Sequence, residues 1–594
     1  MKYELRSVLV GVAAVAATLA SVTAVADADL DQKMSNPENW ASQAGDDANQ
    51  RWSDLKQINA GNVGKLQVAW TMSTGVLRGH EGSPLVIGDT LYMHTPFPNN
   101  VYAVSLKDQT YKWKYEPKQD ADVVPVMCCD TVNRGLAYGD GKIFLQQADT
   151  TLVALDAKTG KVVWTAKNGN PKIGETNTNA PHVFKDKVLT GISGGEFGVR
   201  GRVIAYDIKT GRKVWTGYST GPDAEMLMDP AKTMTWTNGK MAPVGKDSSL
   251  KTWQGDQWKL GGGTTWGWYA YDPKLNLAFF GVGQTYDTGP LLHSINKPGV
   301  TQDSLYTDST LALDPDTGKL AWHFQHVRND QWDLDWAFEQ EVMDLPVNGQ
   351  TRKLIVTDGK MGIIEAMDAA TGKYVFSKDQ GIQNVISAID PKTGEKSINP
   401  DVVVGDGKPH TICPHPGGGR NWNASSYNPQ TKVLYTPMVE SCMDLIPAGP
   451  GERGNLSSGY NWTIRPRPDT DGKYGRIEAL NLETQQVVWK ERHRAPDTTC
   501  ILATAGGVVF SGSLDRFLRA YDDTTGKQLW QVRMNDVPSS CPISYSVKGR
   551  QYIAVVVGNG GIESQTFPTI TPEIQNPQEH ASSIWVFELP ARLH

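Results

Sequence analysis

The chain has 594 residues, 39% of them hydrophobic and 21% charged, which is enough apolar material for a large folded core and excludes a disordered chain. Its 58 basic and 64 acidic residues leave a net charge of -6, so a basic groove for nucleic acid is not expected. The 59 glycines, 34 prolines and 19 tryptophans are spread along the chain and favour many short strands joined by turns, an all-β fold.

At the N-terminus, Lys2 and Arg6 precede an apolar stretch, Val8 to Ala20, followed by Ala24-Val25-Ala26. This pattern predicts a secretory signal, residues 1–26, cleaved near Ala26. The stretch is shorter than the ~20 residues that span a hydrocarbon core, and no later segment is longer, so no membrane span is expected. Export to an oxidising compartment makes disulfides available to the six cysteines.

The mature chain repeats the pattern Ala-x-Asp-x-x-Thr-Gly-x-x-x-Trp. Copies begin at Ala154, Ala205, Ala312 and Ala520, with softer versions at Ala103, Ala366 and Ala479, and candidate decayed units lie around Ala270 and Tyr427. Each copy reads as a strand, a turn closed by Asp and Thr-Gly, and a second strand ending in an indole. One hairpin cannot bury an indole alone, so the units must pack on each other, and a ring of blades, a β-propeller, satisfies this. The 51-residue spacing from Ala103 to Ala154 and again to Ala205 suits a four-stranded blade. The wide gap from Ala366 to Ala479 leaves room for a degenerate blade and long loops. No composition shift divides residues 27–594, which are read as one domain. Such a ring also serves as a non-catalytic scaffold or binding protein, so the site must decide the function.

Cys128-Cys129 is the oddest dipeptide. On its own it reads as two thiols pointing apart or as members of two separate bridges. Its surroundings, Val126-Met127-Cys128-Cys129-Asp130-Thr131-Val132-Asn133-Arg134-Gly135, resemble the pyrroloquinoline quinone (PQQ) dependent alcohol dehydrogenases of the methanol and ethanol dehydrogenase family. The stretches Ser193-Gly194-Gly195-Glu196 and Gly263-Thr264-Thr265-Trp266-Gly267-Trp268 extend the resemblance, as does Trp332-Asp333-Leu334-Asp335.

The resemblance implies an eight-bladed propeller with tryptophan-docking repeats and a vicinal Cys128–Cys129 disulfide forming one wall of the quinone pocket. It also implies Arg134 and Ser193 on PQQ and Trp266 beneath it, a task that suits a rigid aromatic face. Glu81, Thr178, Lys360 and Asn421 fall where relatives hold PQQ, and Cys413 with Cys442 resembles the family's second disulfide. Cys500 and Cys541 carry no reading. Asp333 matches the catalytic base, and Glu196, Gln284, Asp333 and Asp335 the metal ligands. Alternation puts Asp333 and Asp335 on one side of an extended segment, which is costly without a cation between them. Asp335 matches the extra ligand of the lanthanide-using branch, because a trivalent ion of calcium-like radius favours more anionic oxygen. The cofactors expected are therefore PQQ and one lanthanide or calcium ion.

Two departures stand out. Gln284 replaces the family's asparagine ligand, and Thr498 stands where relatives carry a tryptophan. Together with the long loop Tyr286 to Thr307, the second departure suggests an opened pocket that admits a bulky secondary alcohol, such as the hydroxyl of the trichothecene deoxynivalenol. His80 reads as an ordinary pocket or loop residue rather than a base. No Cys-x-x-Cys-His motif for c-type haem occurs, so electrons would leave to a separate soluble cytochrome c. No dinucleotide fingerprint supports a nicotinamide enzyme. The expected activity is periplasmic oxidation of an alcohol to an aldehyde or ketone. The sequence does not fix the oligomeric state and is compatible with a homodimer.

Overall fold

In the computed structural model each copy of the repeat folds as a hairpin in which its alanine faces its large aromatic residue. Ala103 pairs with Trp113, Ala154 with Trp164, Ala205 with Trp215, Ala312 with Trp322, Ala366 with Phe376, Ala479 with Trp489 and Ala520 with Trp530. The turn between them is fixed by its own side chains. Asp156 Oδ1 accepts from both the backbone N–H and the hydroxyl of Thr159, each at 2.8 Å, and Asp207, Asp368 and Asp522 bond their threonines in the same way. The glycine that follows closes the turn at positive φ, as at Gly160 (69°) and Gly372 (75°).

The hairpins belong to eight sheets of four to six strands, and two smaller sheets complete the described residues, 27–286, 301–452, 454–455, 459–575 and 582–591. The expected signal, residues 1–26, lies outside them. The seven copies occupy the third strand of a four-stranded unit in seven sheets, from Val101–Ser105 to Phe517–Asp522; in the sheet of the last copy Trp52–Ser53 is added ahead of that unit. The remaining sheet carries no copy and joins the two ends of the chain: Gln67–Ser73 pairs with Ser583–Glu588, which continues through Arg550–Val557 to Ile543–Val547. The stretches at Ala270 and Tyr427 are not further units. They are first strands of the sheets that hold Ala312 and Ala479. Among the described residues, the gap between Ala366 and Ala479 holds no further sheet of four strands. It contains the first strands of the Ala479 sheet, the hairpin Ile386–Ile389 with Lys396–Ile398, and a three-stranded insertion of His410–Ile412, Ser441–Pro447 and Tyr460–Pro466. That insertion packs on Trp332, Leu334 and Trp336 and so braces the segment bearing Asp333 and Asp335.

Neighbouring sheets are coupled through the indoles. Trp113, Trp164, Trp215, Trp322 and Trp489 donate their ring N–H to the carbonyls of Ala157, Ile208, Pro315, Ala369 and Asp523 in the following unit, at 2.8–3.1 Å. Each ring lies against that unit's turn glycine. A Cβ at Gly372 would stand 2.5 Å from Trp322, which leaves no room for a side chain there. Trp322 is 1% exposed, so Trp322→Ala is expected to cost about 3–5 kcal/mol of stability, read as a lowered denaturant midpoint. Among the described residues no helix is long and apolar enough to cross a membrane.

Two added strands pair in parallel, Trp52–Ser53 with Leu502–Thr504 and Met234–Thr237 with Leu320–Gln325, but the four strands of each repeating unit run antiparallel, so the loop entering the unit's first strand and the loop joining its second and third strands emerge at the same end. Glu81, Arg134, Thr178, Trp266, Asp333 and Asn421 precede first strands, whereas Ser193, Glu196, Gln284 and Lys360 lie between second and third strands. Topology alone therefore gathers residues far apart in sequence at one face.

Candidate active site

At that face these loops enclose a cavity of about 270 Å3. All thirteen residues singled out from the sequence line it: Glu81, Cys128, Cys129, Arg134, Thr178, Ser193, Glu196, Trp266, Gln284, Asp333, Asp335, Lys360 and Asn421. Cys128 and Cys129 are joined to each other, which closes the alternatives left open by the dipeptide alone. Cys413 pairs with Cys442, and Cys500 with Cys541. The last bridge packs with Ala180, Trp268 and Trp422, and Trp266 rests against this group.

One wall is a continuous polar rail. Arg134 pairs with Glu81 at 3.0 Å and donates to Thr178 Oγ1 at 2.9 Å, and the Thr178 and Ser193 hydroxyls bond each other at 2.9 Å. The Arg134 guanidinium stands 4.7 Å from the centre of the Trp266 ring, whose edge meets Phe338. Trp266 is thus held by a cation over its ring and by an aromatic ring nearly perpendicular to it, which fixes its plane. Burial, reinforced by Glu563 and Asp130 against the opposing Arg134, pushes the Glu81 carboxyl up to about 8. Asn421 turns its amide into its own loop, accepting from Trp422 N–H at 2.7 Å and donating to Gly417 O at 2.9 Å.

The other chemical feature is a concentration of negative charge around one ammonium. Lys360 Nζ lies 2.8 Å from both Asp333 Oδ1 and Asp335 Oδ2 and donates to the Asp333 carbonyl at 3.0 Å. Asp335 Oδ1 accepts from the Gln284 backbone N–H at 2.6 Å. Asp333 takes a positive φ of 61°, a turn that aims its side chain toward Lys360 rather than along a strand. Burial raises the Asp333 carboxyl well above the usual carboxylate range and Asp335 adds to this, while Lys360 works the other way. Burial also disfavours the Lys360 charge, yet the two carboxylates hold its ammonium above the ordinary lysine value. Burial and the charge of Asp335 push Glu196 up to about 7.

Lys360 therefore sits among the carboxylates, a placement that its match to a quinone contact does not convey. Among the described residues no three carboxylate, imidazole or thiol groups converge on a single point. The donor chemistry fits a hard cation all the same: Glu196, Asp333 and Asp335 supply carboxylate oxygens and Gln284 an amide oxygen on one cavity. The cavity also fits a flat polar ligand. The buried Thr264 hydroxyl lines it without a hydrogen-bond partner, beside the Trp266 face and the Arg134–Thr178 rail.

Thr264, Tyr286, Trp422, Asn455, Trp462 and Ile562 also line the cavity and were not singled out from the sequence. Thr264 stands two residues before Trp266 inside a motif already quoted, so motif context could have found it. Trp462 and Asn455 belong to the insertion, which follows no repeat. The space expected at Thr498 is not part of this cavity. Thr498 is buried, and its hydroxyl donates to Pro538 O at 2.7 Å. Residues 287–300 of the long loop lie outside the described residues. His80 is absent from the cavity wall, and burial pushes its imidazole down to about 3, which keeps it neutral.

The sequence matches the family model "Glucose/ethanol/alcohol dehydrogenase, beta-propeller domain" of PQQ proteins over residues 40–381 and 399–553. It is 45% identical over 555 residues to the lanthanide-dependent methanol dehydrogenase of Methylorubrum extorquens, covering 91% of this chain and 90% of that one. The methanol dehydrogenase [cytochrome c] subunit 1 of the same organism is 38% identical over 567 residues, covering 92% and 88%. Among solved structures, a europium-containing methanol dehydrogenase superposes with a TM-score of 0.86 at 36% identity, covering 94% of this chain and 100% of the other. With the cavity, the vicinal disulfide and the matched model in agreement, this β-propeller chain belongs to the PQQ-dependent alcohol dehydrogenase family and is an enzyme of that class.

Proposed function

We propose that the chain is a periplasmic dehydrogenase that oxidises primary or secondary alcohols to aldehydes or ketones and passes the electrons to a separate cytochrome c. The observation that carries this is the assembly of thirteen residues, drawn from loops of separate sheets, around one cavity that holds both the disulfide and the carboxylate group. The eight sheets are read as eight blades docked on one another by their tryptophans.

PQQ, when bound, supplies an electrophilic quinone carbonyl that accepts hydride. Trp266 would carry its plane, the Cys128–Cys129 disulfide would close the pocket over it, and Glu81, Arg134, Thr178, Ser193 and Asn421 would hold its polar edge. A cation on Glu196, Gln284, Asp333 and Asp335 would act there as a Lewis acid. Asp333 removes the alcohol hydroxyl proton. Lys360 favours the anionic form of Asp333 that this task requires, working against the burial and the Asp335 charge that raise its carboxyl. Tyr286, Trp462 and Ile562 add apolar surface to the cavity for the organic part of the substrate.

Alcohol oxidation by purified protein, coupled to an artificial electron acceptor after addition of PQQ with europium or with calcium, tests the reading. Turnover that needs both PQQ and an ion is expected. No turnover on any alcohol, from methanol to deoxynivalenol, would refute it. Because burial and the charge of Asp335 push the Glu196 carboxyl up to about 7, cation binding must displace its proton at lower pH, so europium affinity should fall as pH drops from 8 to 6. A pH-independent affinity would remove Glu196 from the ligand set.

A further inference from the structure

Behind the carboxylates of the cavity lies one more that no matched motif includes. Asp308 is fully buried, and neither of its carboxylate oxygens has a hydrogen-bond partner. Its backbone is firmly placed: its N–H donates to Gly283 O at 3.1 Å, and its carbonyl accepts from His326 N–H at 2.8 Å. Gly283 adjoins Gln284, whose own N–H is bonded to Asp335. The side chain of Asp308 feels the charges of Asp330, Asp335 and Asp333, with Lys360 as the cation acting on it. Asp330, by contrast, is satisfied, accepting from Trp332 N–H at 2.9 Å and from Leu334 N–H at 2.6 Å.

A buried carboxyl without a donor, set among like charges, is pushed toward its protonated form by burial, and it holds its charge only if positive charge is brought near it. Hydrogen bonds do not supply that charge to Asp308, and Lys360 is already shared by Asp333 and Asp335. A hard cation held by Glu196, Gln284, Asp333 and Asp335 would supply it, and the benefit scales with the charge of the ion. We propose that Asp308 is a specificity-determining residue of the metal site, an outer carboxylate that biases the site toward trivalent over divalent cations. This rests on the proposed metal-binding reading of the cavity.

The test is a chelator-buffered titration of the full chain, in the presence of PQQ, with EuCl3 followed by europium emission and with CaCl2 followed by competition against bound europium. Asp308→Asn keeps the shape of the side chain and removes the charge. It is expected to lower the preference for europium over calcium by about tenfold, most of it through weaker europium binding. In protein treated with chelator the same substitution is expected to raise the melting temperature, because it removes a carboxyl that folding buries without a donor and forces away from its ordinary ionised state. An unchanged preference, or equal losses for both ions, would overturn the proposal while leaving the site itself intact. Failure of the unsubstituted protein to bind either ion would instead sink the metal-site reading. Asp308→Ser is the second variant, and loss of folding in both variants would assign Asp308 a structural role and reject the specificity role.

Discussion

Asp333→Asn is expected to lower kcat for alcohol oxidation by about a thousandfold, within the range that a positioned general base contributes. Asparagine keeps an oxygen in nearly the same place but cannot take the hydroxyl proton. The substitution also breaks the 2.8 Å ion pair with Lys360, whose ammonium keeps Asp335 as its remaining carboxylate partner. The polar rail of Glu81, Arg134, Thr178 and Ser193, proposed to hold the quinone, does not pass through Asp333, so PQQ should still bind. Steady-state kcat measured beside the quinone absorption of the reconstituted protein separates the two effects. Retention of more than a tenth of the activity would show that another group carries the proton.

Asp335→Ala is expected to lower europium-supported activity about a hundredfold more than calcium-supported activity. The reason is charge: Asp335 is 2% exposed, shares Lys360 with Asp333 and raises the pKa of Glu196, so it stands at the centre of the negative cluster. Its loss removes one anionic donor from the set that offsets a trivalent ion, and a divalent ion depends on that donor less. The ratio of the two supported rates is the quantity to measure. Equal losses with both ions would assign Asp335 to general support of the loop, through its bond to the Gln284 backbone.

The sequence made the framework legible because its signal is local. An alanine and a tryptophan ten residues apart face each other across one hairpin, so the pattern is visible in a short window. It failed where pairing is remote. The sheet that closes the ends, Gln67–Ser73 with Ser583–Glu588, contains no repeat and joins segments separated by almost the whole chain. The candidate decayed units at Ala270 and Tyr427 misled because a first strand with a following turn looks like the start of another hairpin when its partner strands are unknown.

The site shows the same division. Cys128, Arg134, Ser193, Glu196, Trp266 and Asp333 sit in short stretches whose composition is distinctive, and they meet because their loops share one end of the sheets. The gap expected at Thr498 did not follow, since what surrounds that position is set by distant segments. Pro538 takes its hydroxyl, and the neighbouring Cys500 bridges to Cys541 against Trp422. The role of Lys360 was legible as a cation near the chemistry, but its two carboxylate partners become apparent only in three dimensions. Asp308 was invisible for the same reason: nothing in its own stretch shows that both of its oxygens are buried beside four charged neighbours.

The central claim is that PQQ sits on Trp266 beneath the Cys128–Cys129 disulfide, with an ion held by the neighbouring acidic side chains. A crystal structure of the protein reconstituted with PQQ and europium tests this directly. Quinone density is expected stacked on Trp266, with its polar edge on Arg134, Thr178 and Ser193, and one europium bound by Glu196, Gln284, Asp333 and Asp335. An active protein with PQQ bound elsewhere, or with europium bound away from those four residues, would contradict that claim.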